Sequence, residues 1–265
     1  MIGSRFARPW MIVIGLACGA TLAPADEPAR PRIDQARLGP ILDEWARRSA
    51  ALTSVDVRYT GEERSAAWGS TPISGRAVLL RDGRARLDVA EHDDQGREAQ
   101  RSRLVWTGTD LHQFRFDTKQ RFVYPKAERD RGRLPDLLTL PFAWGWDRDG
   151  LTSRYRVELV NELAEVWCLK VTPPEPAKAT FSRAFILLDR ATYLPRLYYL
   201  FDRDGKSQTQ YKVAEIHADR PIPDDLLSVA DEPGWETVRT EPIDYARWLA
   251  GMSRAFVLYR TVFFR

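Results

Sequence analysis

Between Val55 and Ile216 apolar and polar side chains keep exchanging places along the chain, and this period of two restricts the fold more than any other property of the sequence. A strand presents successive side chains to opposite faces, so the pattern buries one face and wets the other. Val55, Val57 and Tyr59 alternate with Asp56, Arg58 and Thr60. Gly75 to Arg81 and Arg84 to Ala90 flank Asp82-Gly83, a two-residue hairpin signal, with Ala85, Leu87 and Val89 on one side and Arg84, Arg86 and Asp88 on the other. Arg101 to Thr107, Leu111 to Phe116 and Gln120 to Tyr124 follow, joined by Gly108-Thr109-Asp110 and Asp117-Thr118-Lys119. A second series comprises Tyr155 to Val160, Val166 to Val171, Ser182 to Leu188, Leu194 to Phe201 and Gln208 to Ile216. About ten strands in succession predict a large, strongly curved antiparallel sheet or barrel, because a flat sheet of that size leaves long unpaired edges.

Three segments depart from this period. At the N-terminus Arg5 and Arg8 precede an apolar run from Trp10 to Ala20 and then Ala23-Pro24-Ala25, the layout of a secretory signal peptide over residues 1–25. Residues 26–37, rich in proline and arginine, read as a linker; Leu38, Leu42, Trp45 and Leu52 then fall on one face of a helix whose first turn holds Pro40. The domain so defined runs over 38–240. Inside it, Arg133 to Gly150 is too proline-broken for a strand and too apolar for an exposed loop. Beyond it, in the tail 241–265, Tyr245, Trp248, Leu249, Met252, Phe256 and Tyr259 recur at helical spacing, with Arg247, Arg254 and Arg260 elsewhere on the turn. Such a helix can dock on the sheet or lie in a membrane interface. Docking is the favoured reading, and deletion of Pro242 to Arg265 is expected to leave a folded domain.

Chemistry-bearing motifs are scarce. The formal charge of +3 falls to +1 if the two arginines of the leader are removed, which gives no reason to expect a nucleic-acid partner. Cys168, the lone cysteine after the leader, has no partner for an internal disulfide and reads as a small hydrophobe. Cys18 reads as a leader residue and not a lipidation site. Glu91-His92-Asp93-Asp94 is more often a solvated turn than a metal loop. His112 and His217 stand alone on strands, and Trp68 reads as a sheet-edge aromatic. No nucleophile elbow, zinc-protease helix or phosphate-cradling glycine loop is present, so no catalytic residue, metal or cofactor is assigned.

The order helix, antiparallel strands, proline-broken apolar insert, further strands is similar to that of the LolA and LolB lipoprotein carriers. Leu140-Pro141-Phe142-Ala143-Trp144-Gly145, Phe181-Ser182-Arg183-Ala184, Leu188-Asp189-Arg190-Ala191-Thr192-Tyr193-Leu194-Pro195-Arg196 and Pro221-Ile222-Pro223-Asp224 resemble a LolA-like family of exported bacterial proteins. The resemblance covers roughly Leu38 to Trp235. It implies a mostly β fold with α, a half-open barrel whose apolar concave face is covered by helices, and a role as a periplasmic or cell-envelope binder of acyl chains or lipoproteins. Partners of that kind include transient contacts with a membrane surface or envelope proteins. Each methylene removed from water contributes about 0.8 kcal/mol, so a chain of about fifteen yields roughly 12 kcal/mol before the costs of binding, without any catalytic group. By position in the pattern, Leu87, Val89, Trp106, Phe114, Phe116 and Tyr124 are expected to line the concavity, and Leu138, Phe142, Trp144 and Trp146 to form part of the lid; ordinary core packing is the alternative for each. The carriers' strand arginine has Arg86 and Arg103 as stand-ins, but no motif places that role. An envelope sensor that binds a protein, and an enzyme with scattered carboxylates, are the competing functions.

Overall fold

The computed structural model describes residues 34–66, 69–125, 148–175, 181–230 and 233–240. The leader, most of the linker, Trp68, the insert with Leu138, Phe142, Trp144 and Trp146, and the tail from Glu241 lie outside the described residues. All described residues belong to one unit, Ile33–Arg265.

A 3-10 turn, Gln35–Arg37, capped by the Asp34 carboxylate on the Ala36 amide, leads into α1, Leu38–Ala51. Pro40 sits in the first turn of α1, where a missing N–H costs nothing. Ile41, Leu42, Trp45 and Ser49 form its buried stripe, while Glu44 on the opposite face pairs with Arg47 and Arg48.

Twelve strands follow, eleven of them in two meanders and the last, β12 (Glu236–Arg239), beyond them. The first contains β1 (Ser54–Ser65), β2 (Gly69–Leu80), β3 (Ala85–His92), β4 (Glu98–Trp106), β5 (Asp110–Arg115) and β6 (Gln120–Pro125). The short helix α2, Arg148–Arg154, opens the second: β7 (Arg156–Glu162), β8 (Val166–Thr172), β9 (Phe181–Asp189), β10 (Pro195–Asp202) and β11 (Ser207–Ala218). They form one sheet in the order β12-β6-β5-β4-β3-β2-β1-β11-β10-β9-β8-β7. The two meanders join where β1 pairs with β11, Val55 beside Ala218 and Ser65 beside Ser207. Register shifts at Arg58/Tyr59, Glu91/His92, Leu159/Asn161 and within β10 mark bulges, the devices that bend a sheet. The mostly β, open and largely antiparallel architecture expected from the LolA-like resemblance is the one observed.

One strand was not expected. β12, Glu236–Arg239, adds to the edge beside β6 and runs parallel to it, the exception in an otherwise antiparallel sheet. It is delivered by a strap, residues 219–230 and 233–235, that includes a 3-10 turn at Asp224–Leu227. Among the described residues no helix is long and apolar enough to cross a membrane.

Candidate binding face

Cα-paired residues of neighbouring antiparallel strands share a face, so the registers sort every strand side chain into an inner or an outer set. One inner row runs Val55, Leu79, Ala85, Trp106, Leu111, Tyr124 across β1 to β6. The next runs Val57, Ala77, Leu87, Leu104, Gln113, Phe122. On the other meander Leu159, Leu169, Ile186, Tyr198 and Tyr211 continue the same face, since Tyr211 lies opposite Gly61 of β1. The result is one apolar surface spanning both meanders.

Its two halves are covered differently. Over β7 to β10, Ile41, Leu42 and Trp45 of α1 and Leu151 of α2 pack on Leu169, Val171, Ala184, Ile186, Leu188 and Tyr198, all buried. Over β1 to β6, Trp106, Leu111 and Tyr124 are also buried, and Leu52, just beyond α1, packs on this cluster. Tyr59 stands between the halves. It lies edge-on to Tyr211 with ring centroids 5.5 Å apart and donates its hydroxyl proton to the Asp88 carbonyl at 3.0 Å. Burial raises the pKa of both phenols, Tyr59 and Tyr211, so both stay protonated. Between α1 and the sheet, Trp45, Ser49, Leu52, Val57, Tyr198 and Ile216 help to line a cavity of about 10 Å³, room for about one water and far from the several hundred Å³ of a typical ligand pocket.

The expected lining residues separate into two groups. Leu87, Val89, Trp106 and Tyr124 share the inner face: Leu87 packs on the cluster containing Trp106 and Tyr124, and Val89 stands opposite Gly75. Phe114 belongs to the outer face, because it pairs with Arg103 and not with the inner-facing Leu104. Phe116 follows it there. Trp235 of the strap packs edge-on to both, with centroids at 5.8 Å from Phe114 and 5.2 Å from Phe116, and the Arg103 guanidinium lies over both rings. Leu138, Phe142, Trp144 and Trp146 lie outside the described residues.

The outer face over β2 to β6 also has a polar framework that sequence reading did not assemble. Arg86 and Arg103, from adjacent strands, both bond the Asp88 carboxylate, at 2.6 and 2.8 Å, and Arg86 donates to the Leu226 carbonyl of the strap at 2.8 Å. Burial raises the Asp88 pKa, but the hydrogen bonds from Arg86 and Arg103 outweigh it and hold the carboxyl below 3.8. Arg121 donates to the Val229 carbonyl and to Thr237. Of the two arginines considered as carriers of a lid contact, Arg86 thus fastens the strap to the outer face, while Arg103 holds the shared Asp88 carboxylate and lies over the Phe114 and Phe116 rings on which Trp235 packs. Asp56 and Arg76 add a bidentate pair at 2.7 and 2.8 Å. The signal for this framework was the paired parity of Arg86, Asp88 and Arg103; its purpose depends on a strap more than a hundred residues away.

The remaining singled-out residues have local roles. His92 bonds Ser74 at 2.8 Å, and the Asp93 carboxylate accepts the Gln95 and Arg97 amides of its own turn. His112 is buried on β5, and burial together with Arg121 lowers its pKa. Burial pushes the Cys168 thiol up to about 11, so it is protonated at neutral pH. Among the described residues no group of three His, Cys, Asp or Glu side chains is placed to hold a metal ion.

In sequence comparison no protein-family model and no curated protein matches the chain. Solved structures with a similar course of chain include an uncharacterized conserved protein from Thermus thermophilus, 16% identical with a TM-score of 0.47, over 77% of this chain and 99% of that one. A putative outer membrane lipoprotein-sorting protein domain from Vibrio parahaemolyticus is 12% identical with a TM-score of 0.38, over 71% and 94%. MucB of Pseudomonas aeruginosa, in its complex with MucA, is 18% identical with a TM-score of 0.38; the match covers 71% of this chain and 61% of MucB. Similarity at this level is one of fold outline and carries nothing about what the protein binds.

Proposed function

We propose that this protein is a cell-envelope binder whose inner sheet face takes an acyl chain, free or as part of a lipoprotein, without catalysing a reaction. The observation that carries the reading is the continuity of the inner apolar face across β1 to β11, on which α1 and α2 pack mainly over the β7 to β10 half, with α1 reaching as far as the β1–β11 seam. Leu87, Val89, Trp106 and Tyr124 belong to the surface such a guest would touch; Phe114 and Phe116 contribute through the strap instead. With only about 10 Å³ free beneath α1, a guest enters the β1 to β6 half or displaces the helix. That small volume also favours a second reading, in which the face receives an apolar segment of a protein partner laid along the strands and not a buried chain.

The two are separated by native mass spectrometry of the protein purified from membranes, with lipid extraction. Copurifying acyl species support the first reading; empty extracts with a stoichiometric protein partner support the second. Leu87→Asp places a charge on the inner face and is expected to weaken binding of a fluorescent fatty acid by about tenfold or more. Phe114→Asp should leave that affinity unchanged while loosening the strap. If the two variants behave alike, or Phe114→Asp alone abolishes binding, the inner face is not the binding face.

A further inference from the structure

We infer that the outer face over β8 to β11 docks a partner protein through an acidic amphipathic helix. This face is separate from the inner one, so the acyl-binding reading can fail without it. The strap fastens to the outer face over β2 to β6, where Arg86 and Trp235 hold it. Over β8 to β11 the same face has a different character. Phe185 and Leu187 of β9 and Leu197, Tyr199 and Phe201 of β10 take the outward parity there, since Ile186 and Tyr198 between them face inward. All five are half-buried, and Phe185 meets Phe201 edge-on with ring centroids 6.0 Å apart. The core does not require apolar side chains on the outward parity, and five together make a contact surface. Cations rim it: Lys170 pairs in register with Phe185, Arg183 with Phe201 and Lys212 with Leu197. Lys170 has Glu158 at 3.4 Å. Arg183 and Lys212 are exposed, and among the described residues neither forms an ion pair; the Arg183 guanidinium lies over the Phe201 ring, 4.2 Å from its centroid.

Arg183 and Lys212 stand at opposite corners of the patch, two strands and four residues apart, with Tyr199 midway between them. On sheet spacings that diagonal is roughly 17 Å. A helix covers it in about eleven residues, and a step of about eleven returns to the same face of the helix. Two carboxylates at that interval therefore reach both cations, while the turns between them lay apolar side chains on Phe185, Leu187, Leu197 and Tyr199. Neither the insert nor the tail of this chain brings surplus acid to such a contact. Residues 126–147 hold four acids against four bases, and residues 241–265 hold four arginines against Glu241 and Asp244. A bilayer takes up apolar side chains that protrude, and the large hydrophobics that are exposed, Val160 and Leu163, belong to β7 and the turn after it.

The experiment titrates the full-length protein with two fluorescein-labelled, leucine-faced synthetic helices, one carrying two glutamates about eleven residues apart and one carrying lysines in their place. By fluorescence anisotropy the glutamate peptide is expected to bind about tenfold tighter or more, and the order is expected to reverse for Arg183→Glu/Lys212→Glu. Reversal also shows that the double variant is folded. Equal binding of the two peptides by the parent, or an order that the double variant leaves unchanged, overturns the inference. Tyr199→p-benzoylphenylalanine, irradiated with the glutamate peptide, is expected to cross-link to it; cross-links within the chain in preference to the peptide give the patch an internal cover and sink the proposal. Co-sedimentation with phosphatidylcholine–phosphatidylglycerol vesicles that the double variant abolishes, with neither peptide bound, sinks it too and assigns the patch to an anionic membrane. Affinity for a fluorescent fatty acid should be the same in the parent and in Arg183→Glu/Lys212→Glu, which keeps this test apart from that of the inner face.

Discussion

Gly75 is inner-facing in the middle of β2, and its hydrogen is what allows Tyr59 to cross that strand. A Cβ there would stand 2.2 Å from the Asp88 carbonyl oxygen and 2.3 Å from the Tyr59 hydroxyl. Gly75→Ala is expected to cost about 2 kcal/mol or more, with loss of the Tyr59–Asp88 bond, as read from urea denaturation. Asp88 itself carries a pH-dependent contribution. Its folded pKa lies below the ordinary aspartate value, so the unfolded chain binds the proton more readily; the stabilisation is present in full above the unfolded pKa and is lost as pH falls through the lower folded one. Asp88→Asn leaves Arg86 and Arg103 half-buried without their shared anion, at about 3 kcal/mol, and should flatten the acid limb of a stability–pH curve. An unchanged acid limb would show that other carboxylates carry it. At this scale the alternation told inner from outer on β3, where Leu87 and Arg86 differ in kind. On β5 it did not, since Leu111 and Phe114 are both apolar and opposite in parity; the strap buries the outer side too, so hydrophobicity alone could not choose.

The elements were legible to the extent that their stabilisation is local. Eleven strands and α1 follow from alternation, turn residues and a helical stripe, with most ends displaced by one to three residues; β1 and β2 run several residues further because their polar ends pair as backbone, not as buried side chains. β12 was not legible: Glu236, Thr237, Val238 and Arg239 have no buried face, and the strand exists because the strap brings it to the β6 edge. The opposite edge is guarded by a side chain. The Gln35 carboxamide donates to the Leu159 carbonyl at 2.8 Å and accepts from the Leu159 amide at 3.2 Å, as another strand would. Gln35→Ala should accelerate hydrogen exchange at Leu159 with a stability loss of about 1 kcal/mol. At the other end of α1 the Arg81 guanidinium caps the carbonyls of Ala50, Ala51 and Leu52 at 2.6 to 3.0 Å. Arg81→Ala is expected to cost about 1–2 kcal/mol and to raise exchange in the last turn of α1 before it affects the strands; equal protection loss throughout would assign Arg81 to the global core instead.

For the whole molecule the decisive contact is the β1–β11 seam, which joins residues near the start of the domain to residues near its end. Folding rates fall as contacting residues lie further apart in sequence, so stopped-flow tryptophan fluorescence should report refolding on the order of seconds or slower. A complete signal within milliseconds would mean that the meanders form and fluoresce natively before the seam closes. The inner apolar face shows the same dependence: neither meander alone possesses all of it, and no local motif announces it.

Because β1 waits for β11, a chain emerging N-terminus first has no finished sheet to offer until nearly all of it has appeared. Its early hairpins expose greasy strands with a free side for that whole interval, which suits a polypeptide threaded unfolded through a narrow passage and penalises one released piecemeal into a crowded compartment. Any helper that shields nascent strands should therefore matter most to this protein before Ser207 arrives and hardly at all afterwards.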